Sequence, residues 1–248
     1  MSGEPDVGQL RVGCSGWLYR HWRGGVFYPP GTKQKDEFAF YQTRFDTAEL
    51  NASFYRMPSE AAVTGWRERT PEGFLFAWKA SRYLTHMKRL LDPDEPLAYL
   101  FRIAEGLGEK LGPLLYQLPP SMQMNRERLA AFLQRLPAHR RHAFEFRHVS
   151  WYEPAILDLL REHDASLVLS DHHHAPAPWE ATASWVYVRG HGPGGRYWGD
   201  YSDETLNDWA QRIRAWRYEG RDVYAYFDND IGGAAPRDAQ RLKRLFNL

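Results

Sequence analysis

A short segment near the middle of the chain, FEFRHVSW at residues 144–151, alternates aromatic residues with ionisable ones. In a β-strand alternate side chains point to the same face, so Glu145 and Arg147 would share one face and the phenylalanines the other. A carboxylate can transfer protons or bind a metal ion, and a guanidinium binds carboxylate or phosphate through parallel hydrogen bonds. This spacing therefore predicts acid–base or anion-binding chemistry on a face that would otherwise be apolar.

Lys79 gives a second sign of chemistry. It ends the strongly apolar segment FLFAWK, where an inward-facing ammonium group needs a partner or a ligand. If burial lowers the pKa of Lys79, the amine would serve as a base or as a Schiff-base nucleophile. The alternative is a salt bridge to Glu49 or Glu145. Either way, Lys79 is expected inside the fold rather than in solvent.

Eight segments of strand length recur along the chain, with helical patterns between most of them. This alternation indicates a parallel sheet, and eight units indicate an α/β fold of the TIM-type (β/α)8 barrel class, with its active site at the carboxyl ends of the strands. We predict an N-terminal tail at residues 1–9 and a single barrel domain at residues 10–248. The strands are predicted at residues 10–14, 47–50, 74–79, 114–117, 143–146, 166–169, 185–189 and 223–227.

The connections between the strands carry helix signals in most places. Asn125, Ser150 and Ser202 each precede a helical pattern and are predicted N-caps. One connection departs from this rule: residues 171–184, DHHHAPAPWEATAS, are too rich in proline for a good helix. This crossover is predicted to be an irregular loop with at most one short helical turn.

The barrel would bring the polar strand ends together at one mouth. Burying charges there is costly, so a functional site explains them better than a purely structural ion-pair network, which is the alternative. We predict an enzyme that acts on a small polar or anionic substrate by acid–base chemistry, with catalytic residues Glu49, Lys79 and Glu145. The predicted substrate-binding residues are Ser15, Asn51, Gln117, Arg147, Asp171, Arg189, His191, Asp228 and Asn229.

In this scheme Lys79 and the two arginines, Arg147 and Arg189, hold the anionic group of the substrate. Guanidinium stays charged, which suits it to an anion clamp rather than to a base. Glu49 and Glu145 would exchange protons or bind a metal ion.

The run His172–His174 raises the question of a metal site. Neighbouring side chains in an extended loop point in different directions, so the three histidines would rarely bind one ion together. A single histidine with Asp171, Glu49 or Glu145 would supply nitrogen and oxygen ligands suited to zinc, manganese or magnesium. A divalent metal therefore stays open as a cofactor, whereas no motif indicates an organic cofactor.

Composition limits the partners and the location. The chain has 32 basic and 31 acidic residues, so no global field attracts nucleic acid or a membrane. Its one cysteine, Cys14, cannot form an intramolecular disulfide and fits a reducing cytoplasm. The chain lacks a run of about 18 apolar residues and an N-terminal signal peptide. We therefore predict a cytoplasmic protein with a small polar or anionic ligand and no membrane association.

Aromatic side chains follow the first two predicted strands. They would either stack on a base or a sugar or seal the barrel mouth. Stacking would favour the alternative function, a nucleic-acid-binding or nucleic-acid-processing barrel, although the near-zero net charge and the lack of a recognisable nucleic-acid module argue against it. These residues are Trp17, Tyr19, Trp22, Tyr28, Phe54 and Tyr55.

Two glycine-containing turns have N–H groups that could hold an anion. The turn GCSGW around Ser15 would form such a nest or serve only as a structural turn. The turn at Gly232–Gly233 precedes a predicted helix, but Asp228 and Asp230 would repel an anion there. We therefore predict that Asp228 and Asn229 face the central cleft, and that a bound anion lies nearer the arginines.

Several segments in chain order identify a relationship. The sequence resembles the domain of unknown function 72 family, also called YecE-like, over residues 10–246. The resemblance implies a TIM-type barrel and no particular reaction. Asp228 stands where the family more often has asparagine, and the His172–His174 run is not part of its pattern. The matching segments are VGCSGWLYRHWRGGVFYPPG (12–31), ELNASFYRMPS (49–59), FAWKASRYLTH (76–86), FEFRHVSW (144–151), YVRGHG (187–192) and YAYFDNDIGGAA (224–235).

Overall fold

Eight parallel strands form a closed barrel in the structure, a computed structural model that describes residues 7–248. Each strand pairs with the next one along the chain, and the last pairs with the first. The predicted TIM-type barrel is thereby confirmed. The strands are β1 (Leu10–Ser15), β2 (Thr47–Leu50), β3 (Leu75–Lys79), β4 (Leu111–Gln117), β5 (His142–Glu145), β6 (Ser166–Ser170), β7 (Trp185–Gly190) and β8 (Asp222–Phe227).

The largest boundary difference is at β4, which begins at Leu111 rather than at Leu114. Gly112 allows β4 to approach β3 closely. A Cβ atom on Gly112 would lie 3.1 Å from the carbonyl oxygen of Phe76. Of the predicted N-terminal tail, residues 1–6 lie outside the described residues, and Gly8 donates its backbone N–H to the carbonyl of Arg217.

Within residues 7–248, a helix follows every strand except β6, and no helix is long and apolar enough to cross a membrane. Residues 171–184, all of them described, form turns without a helix, as predicted. Shorter helical turns lie at Arg20–Trp22, Tyr83–Met87, Glu105–Lys110 and Val149–Trp151. The α-helices are α1 (Gln34–Gln42), α2 (Ala52–Tyr55), α3 (Glu60–Arg69), α4 (Asp94–Ala104), α5 (Arg126–Leu133), α6 (Pro154–Glu162), α7 (Asp203–Tyr218) and α8 (Ala234–Arg244).

Two of the three predicted N-caps form. Asn125 and Ser202 cap α5 and α7, each accepting a backbone N–H from three residues further on. The prediction for Ser150 is wrong, because Ser150 lies in a separate helical turn and its hydroxyl accepts the backbone N–H of Met124 at 2.9 Å. Helix α6 begins only at Pro154.

Strand side chains alternate between the helix layer and the barrel interior. Phe144 and Phe146 pack in the helix-side core, whereas Ala143 and Glu145 point inward, as predicted. The lower interior is largely apolar and aromatic. Towards the carboxyl ends, the next inward position is polar on every strand. The lower interior includes Leu75, Ala77, Leu115, Ala143, Val168, Trp185, Tyr187, Tyr224 and Tyr226.

Candidate active site

A ring of buried polar side chains closes the interior at the carboxyl ends of the strands. The strand register places Ser15 level with Glu49, Gln117 level with Glu145, and Ser170 level with Arg189. This location is where barrel enzymes bind their substrates. The polar ring, as we call it, consists of Ser15, Glu49, Lys79, Gln117, Glu145, Ser170, Arg189 and Asp228.

Arg189 occupies the centre of the polar ring and is completely buried. Its guanidinium contacts three carboxylates at 2.7–3.0 Å. Because Nε, Nη1 and Nη2 all donate to protein atoms, Arg189 has no free N–H for a substrate. The predicted role of Arg189 as a substrate clamp therefore does not fit its contacts. Its partners are Ser15, Glu49, Glu145, His191 and Asp228.

Glu49 and Glu145 are fully buried and fully engaged. Glu49 accepts from the Tyr187 hydroxyl at 2.6 Å and from two nitrogens of Arg189. Glu145 pairs with Arg147 at 2.7 Å and with Arg189 at 2.8 Å. Burial raises both pKa values, but the arginine charges outweigh it, so the pKa of Glu49 is lowered and that of Glu145 lies well below its usual range. Held ionised, both are poor proton carriers, contrary to the predicted exchange.

His191 and Asp171 lie beside the ring and organise it. Nε2 of His191 is 3.0 Å from a nitrogen of Arg147 and 3.2 Å from one of Arg189. Arginine only donates, so Nε2 accepts and Nδ1 carries the proton. Burial lowers the pKa of His191 well below its usual range, so the imidazole of His191 is neutral. Asp171 accepts the His191 backbone N–H and the Tyr201 hydroxyl, and burial raises its pKa to about 6.

Lys79 differs from the other charged members of the ring. Among the residues that the structure describes, its ammonium nitrogen has no hydrogen bond or ion pair, and it lies 4.7 Å from the ring centroid of Phe54. The alternative salt bridge to Glu49 or Glu145 does not form, because arginines occupy both carboxylates. Burial and the charge of Arg189 lower the pKa of Lys79 to about 8.

Arg147, like Lys79, has a nitrogen without a hydrogen-bond partner in the described residues. Its Nη1 donates to the Tyr197 hydroxyl at 2.8 Å and its Nη2 contacts Glu145 and His191, but Nε is buried without a partner among residues 7–248. Tyr197 has φ +71°, a left-handed conformation that is uncommon for residues other than glycine. Tyr197 thus holds one edge of Arg147, whereas the Nε edge has no protein partner among the described residues.

Asp228 and Asn229 follow β8 and point in opposite directions. Asp228 points into the ring, where its carboxylate accepts from Arg189 at 3.0 Å, and burial raises its pKa. The prediction that Asn229 also faces the cleft is wrong. Its amide donates to the Gly199 carbonyl and to the Asp238 carboxylate, both at 2.8 Å, because the alternation of the strand continues past its end.

The hydroxyl of Ser15 is also saturated. It accepts from Asn51 at 2.6 Å and from Arg189 at 2.8 Å, and it donates to Glu49. Asn51 therefore positions Ser15, and its own carbonyl oxygen is buried without a partner in the described part of the chain. Gln117 donates to Glu145 at 2.8 Å. Anion binding by the turn around Ser15, and the placement of an anion nearer the arginines than the Gly232–Gly233 turn, stay untested predictions.

Small exposed fractions show where a ligand would reach the ring. Lys79 is 7% exposed, Gln117 8%, Arg147 5% and Asp228 7%. The inner carboxylates Glu49 and Glu145 and the central Arg189 are 0% exposed. A ligand that enters from solvent therefore meets these four side chains before the inner ones.

The aromatic residues of the first loop seal the mouth. Trp17, Trp22 and Tyr28 are buried, and Trp17 stacks on Phe38 with ring centroids 4.3 Å apart. The alternative in which these three side chains stack on nucleic-acid bases is therefore wrong, because the fold buries them. Tyr55 is exposed in the next loop. The sealing alternative holds because these large side chains cover the ends of the outer core.

The rings of the three consecutive histidines lie close together, with centroids 4.1–5.3 Å apart, although their side chains were expected to point in different directions. His172 is buried and burial lowers its pKa to about 3, whereas His173 and His174 are exposed. Within residues 7–248, no group of three His, Cys, Asp or Glu side chains is arranged to hold a metal ion. The divalent metal stays an untested prediction.

Sequence reasoning missed three tyrosines that complete the site. Tyr187 donates to Glu49, Tyr197 contacts Arg147, and Tyr201 donates to Asp171. Tyr187 lies two residues before Arg189, so strand alternation alone would have found it. Tyr197 and Tyr201 lie in a glycine-rich loop without a period that could place them.

The comparisons with known proteins agree with the fold. A family model described as "Protein of unknown function DUF72" matches residues 11–248. The UPF0759 protein YunF of Bacillus subtilis is 25% identical over 276 residues, covering 96% of this chain and 95% of that protein. The UPF0759 protein YecE of Escherichia coli K12 is 26% identical over 113 residues, which are 45% of this chain and 42% of that protein.

Two solved structures are similar along nearly the whole chain. A DUF72 protein from Thermotoga maritima has a TM-score of 0.85 at 28% identity, covering 97% of this chain and 100% of that one. One from Enterococcus faecalis has a TM-score of 0.81 at 20% identity, covering 97% and 96%. The latter identity is low enough that it shows the fold alone. With the family model matched along almost the entire barrel, the chain belongs to the DUF72 family.

Proposed function

We propose that the protein is an enzyme that binds a small anionic substrate at the polar ring and transfers protons with Lys79. One observation carries this proposal: among the described residues, two largely buried cationic side chains keep a nitrogen without a protein hydrogen-bond partner, Nζ of the 7% exposed Lys79 and the buried Nε of Arg147. An unpaired buried charge costs several kcal/mol, and an apolar side chain would give a more stable protein. Such a cost is typical of a binding or catalytic site.

A second buried lysine shows how this fold treats a structural one. Lys110 is 8% exposed, close to the 7% of Lys79. Its ammonium donates to the carbonyls of Arg67 and Thr70 and to the Thr70 hydroxyl, at 2.6–3.1 Å. The comparison supports a ligand-directed role for Lys79, since the two lysines are similarly buried and differ in their partners.

The remaining residues divide into a scaffold and a reacting part. Arg189, Glu49 and Glu145 satisfy one another and hold the geometry. Arg147 offers its unsatisfied edge to a carboxylate or phosphate group. Lys79, whose pKa is near 8, is able to take up and release a proton close to neutral pH. Asp228 is a second candidate, because burial raises its pKa and its side chain reaches the mouth.

Thermal unfolding with small anions tests the binding part of the proposal. Acetate, pyruvate and phosphate are added at millimolar concentration in low salt, and a bound anion should raise the Tm of the wild type. Arg147→Gln and Lys79→Met should lose this response. Arg141→Gln is the matched control, because Arg141 bonds Tyr224 and Asp222 at the opposite end of the barrel. If no anion raises the Tm, or if both mouth variants respond like the wild type, the proposal fails.

A further inference from the structure

The backbone of Lys79 is anchored, and its amine lies over an aromatic ring. Its strand end is fixed by the Ser53 hydroxyl, which donates to the Lys79 carbonyl at 2.7 Å. Its Nζ lies over the ring of Phe54, whose other contacts include the ring of His86 at 5.0 Å between centroids. Among the described residues no group hydrogen-bonds to the amine, so its lone pair is available to attack a ligand once the amine is deprotonated.

A useful fraction of this amine is neutral. With a pKa of about 8, about a tenth of Lys79 is uncharged at pH 7, compared with about 3 in 10,000 for an ordinary lysine with a pKa of 10.5. Desolvation next to another cation is a known way to activate a lysine as a nucleophile. Here that cation is Arg189.

We propose that Lys79 forms an imine with the carbonyl carbon of a small 2-oxo acid whose carboxylate lies against Arg147. This inference rests on the proposed anion site and adds the substrate class. A carbonyl group is the partner with which an amine forms a covalent bond without losing any group other than water. A carboxylate matches the guanidinium, since the two form charge-assisted hydrogen bonds.

The step is balanced without an added oxidant or reductant. The neutral amine attacks the carbonyl carbon, the C=O π bond breaks, and the oxygen takes a proton to give a carbinolamine. The nitrogen loses a proton to Asp228 or solvent. The hydroxyl then takes a proton and leaves as water while the nitrogen lone pair forms the C=N bond. One water molecule is released for each imine formed.

Reductive trapping tests the imine directly. The whole protein is incubated with pyruvate and sodium borohydride at pH 8, and the adducts are located by peptide mass spectrometry. Borohydride converts the imine into a stable secondary amine, which adds the mass of pyruvic acid less one oxygen atom. We expect one adduct per chain, on Lys79, at a level on the order of 100-fold above an ordinary lysine from the neutral fractions. Lys110 and the exposed Lys33 and Lys35 are internal controls.

Two comparisons separate the parts of the inference. Acetone, which lacks the carboxylate, should label Lys79 at least about tenfold less than pyruvate does, since a charge-assisted pair is worth about 1.5–3 kcal/mol. Arg147→Gln should remove that preference. Lys79→Arg should give no adduct at this position.

The outcomes distinguish the imine from the anion site. If pyruvate raises the Tm but labels Lys79 no more than Lys33 and Lys35, the imine is overturned and the anion site stands. If acetone labels Lys79 as well as pyruvate does, the 2-oxo acid is overturned. If pyruvate neither raises the Tm nor labels Lys79, both proposals fail.

Discussion

Replacing Lys79 by methionine should make the protein more stable at neutral pH. The pKa of this lysine falls from 10.5 to about 8 in the folded protein. Each tenfold loss of proton affinity is worth about 1.4 kcal/mol, so the charged form costs the native state about 3 kcal/mol at pH 7. Methionine has a similar length and keeps the contact with Phe54 without a charge.

The gain should depend on pH in a defined direction. The pKa of Lys79 is lower in the folded protein than in the unfolded chain. The folded protein therefore has its greatest stability from this group above pH 10.5, and it loses that stability as the pH falls from 10.5 through about 8. The difference in the free energy of unfolding between Lys79→Met and the wild type should therefore decrease as the pH rises from 8 to 10.5. The other titrating groups are common to both proteins and largely cancel in the difference.

Urea unfolding followed by tryptophan fluorescence at several pH values gives the measurement. Lys79→Met should exceed the wild type by about 2–3 kcal/mol at pH 7, and the gap should shrink towards pH 10.5. Lys110→Met is the matched control and should lose about 1.5–3 kcal/mol, because its carbonyl partners are left unsatisfied. A less stable Lys79→Met at pH 7, or a gain that does not vary with pH, would refute the reasoning.

Three further substitutions test the scaffold by urea unfolding. Arg189→Met should cost about 3–5 kcal/mol and shift the most stable pH downward, because three carboxylates lose their shared cation; equal stability to wild type at pH 8 would contradict this. Burial lowers the pKa of His142 from 6.5 to about 4, so wild type should lose about 3 kcal/mol relative to His142→Asn as the pH falls from 6.5 to 4, and parallel curves would count against it. Gly13→Ala should cost about 1–3 kcal/mol, since its Cβ would lie 2.4 Å from the Thr47 carbonyl oxygen, whereas Gly194→Ala meets no atom within 4 Å and should be neutral.

The fold and the location of the site follow from local patterns in the sequence. Strand periodicity places Glu145 and Arg147 on the inner face, and parallel strands bring their carboxyl ends to one side. The eight-strand barrel and the irregular crossover at residues 171–184 are confirmed for these reasons. The alternation rule also gives the correct inward positions for Lys79 and Gln117.

The errors occur where a position depends on what happens beyond a strand or helix end. Asn229 lies one residue after Asp228 and turns outward, so treating both as cleft residues ignored the same alternation that located Glu145. Ser150 has the residue type of a cap, but another turn intervenes before α6. Tyr197 reaches Arg147 from a glycine-rich loop with a left-handed backbone, which no periodicity predicts.

The roles of the arginines show a further limit of sequence reasoning. Arg147 and Arg189 are chemically equivalent in the sequence, and both read as anion clamps. In the structure Arg189 donates from all three nitrogens to protein atoms, whereas Arg147 keeps Nε unsatisfied. Saturation depends on how many acceptors the fold places around each group, and those acceptors come from separate strands. The difference between the two arginines therefore depends on tertiary structure and cannot be read from the sequence.

The two explanations for the polar strand ends, an ion-pair network and a binding site, apply to different members of one ring. Arg189 offsets the burial of Glu49 and Glu145 by pairing, so this part stabilises a fixed geometry whether or not a ligand is present. No such pairing offsets the burial of Lys79 in the described residues, because the neighbouring carboxylates are paired with arginines. The rigid part thus keeps the amine unpaired, and an anionic ligand is the partner that would complete the ring.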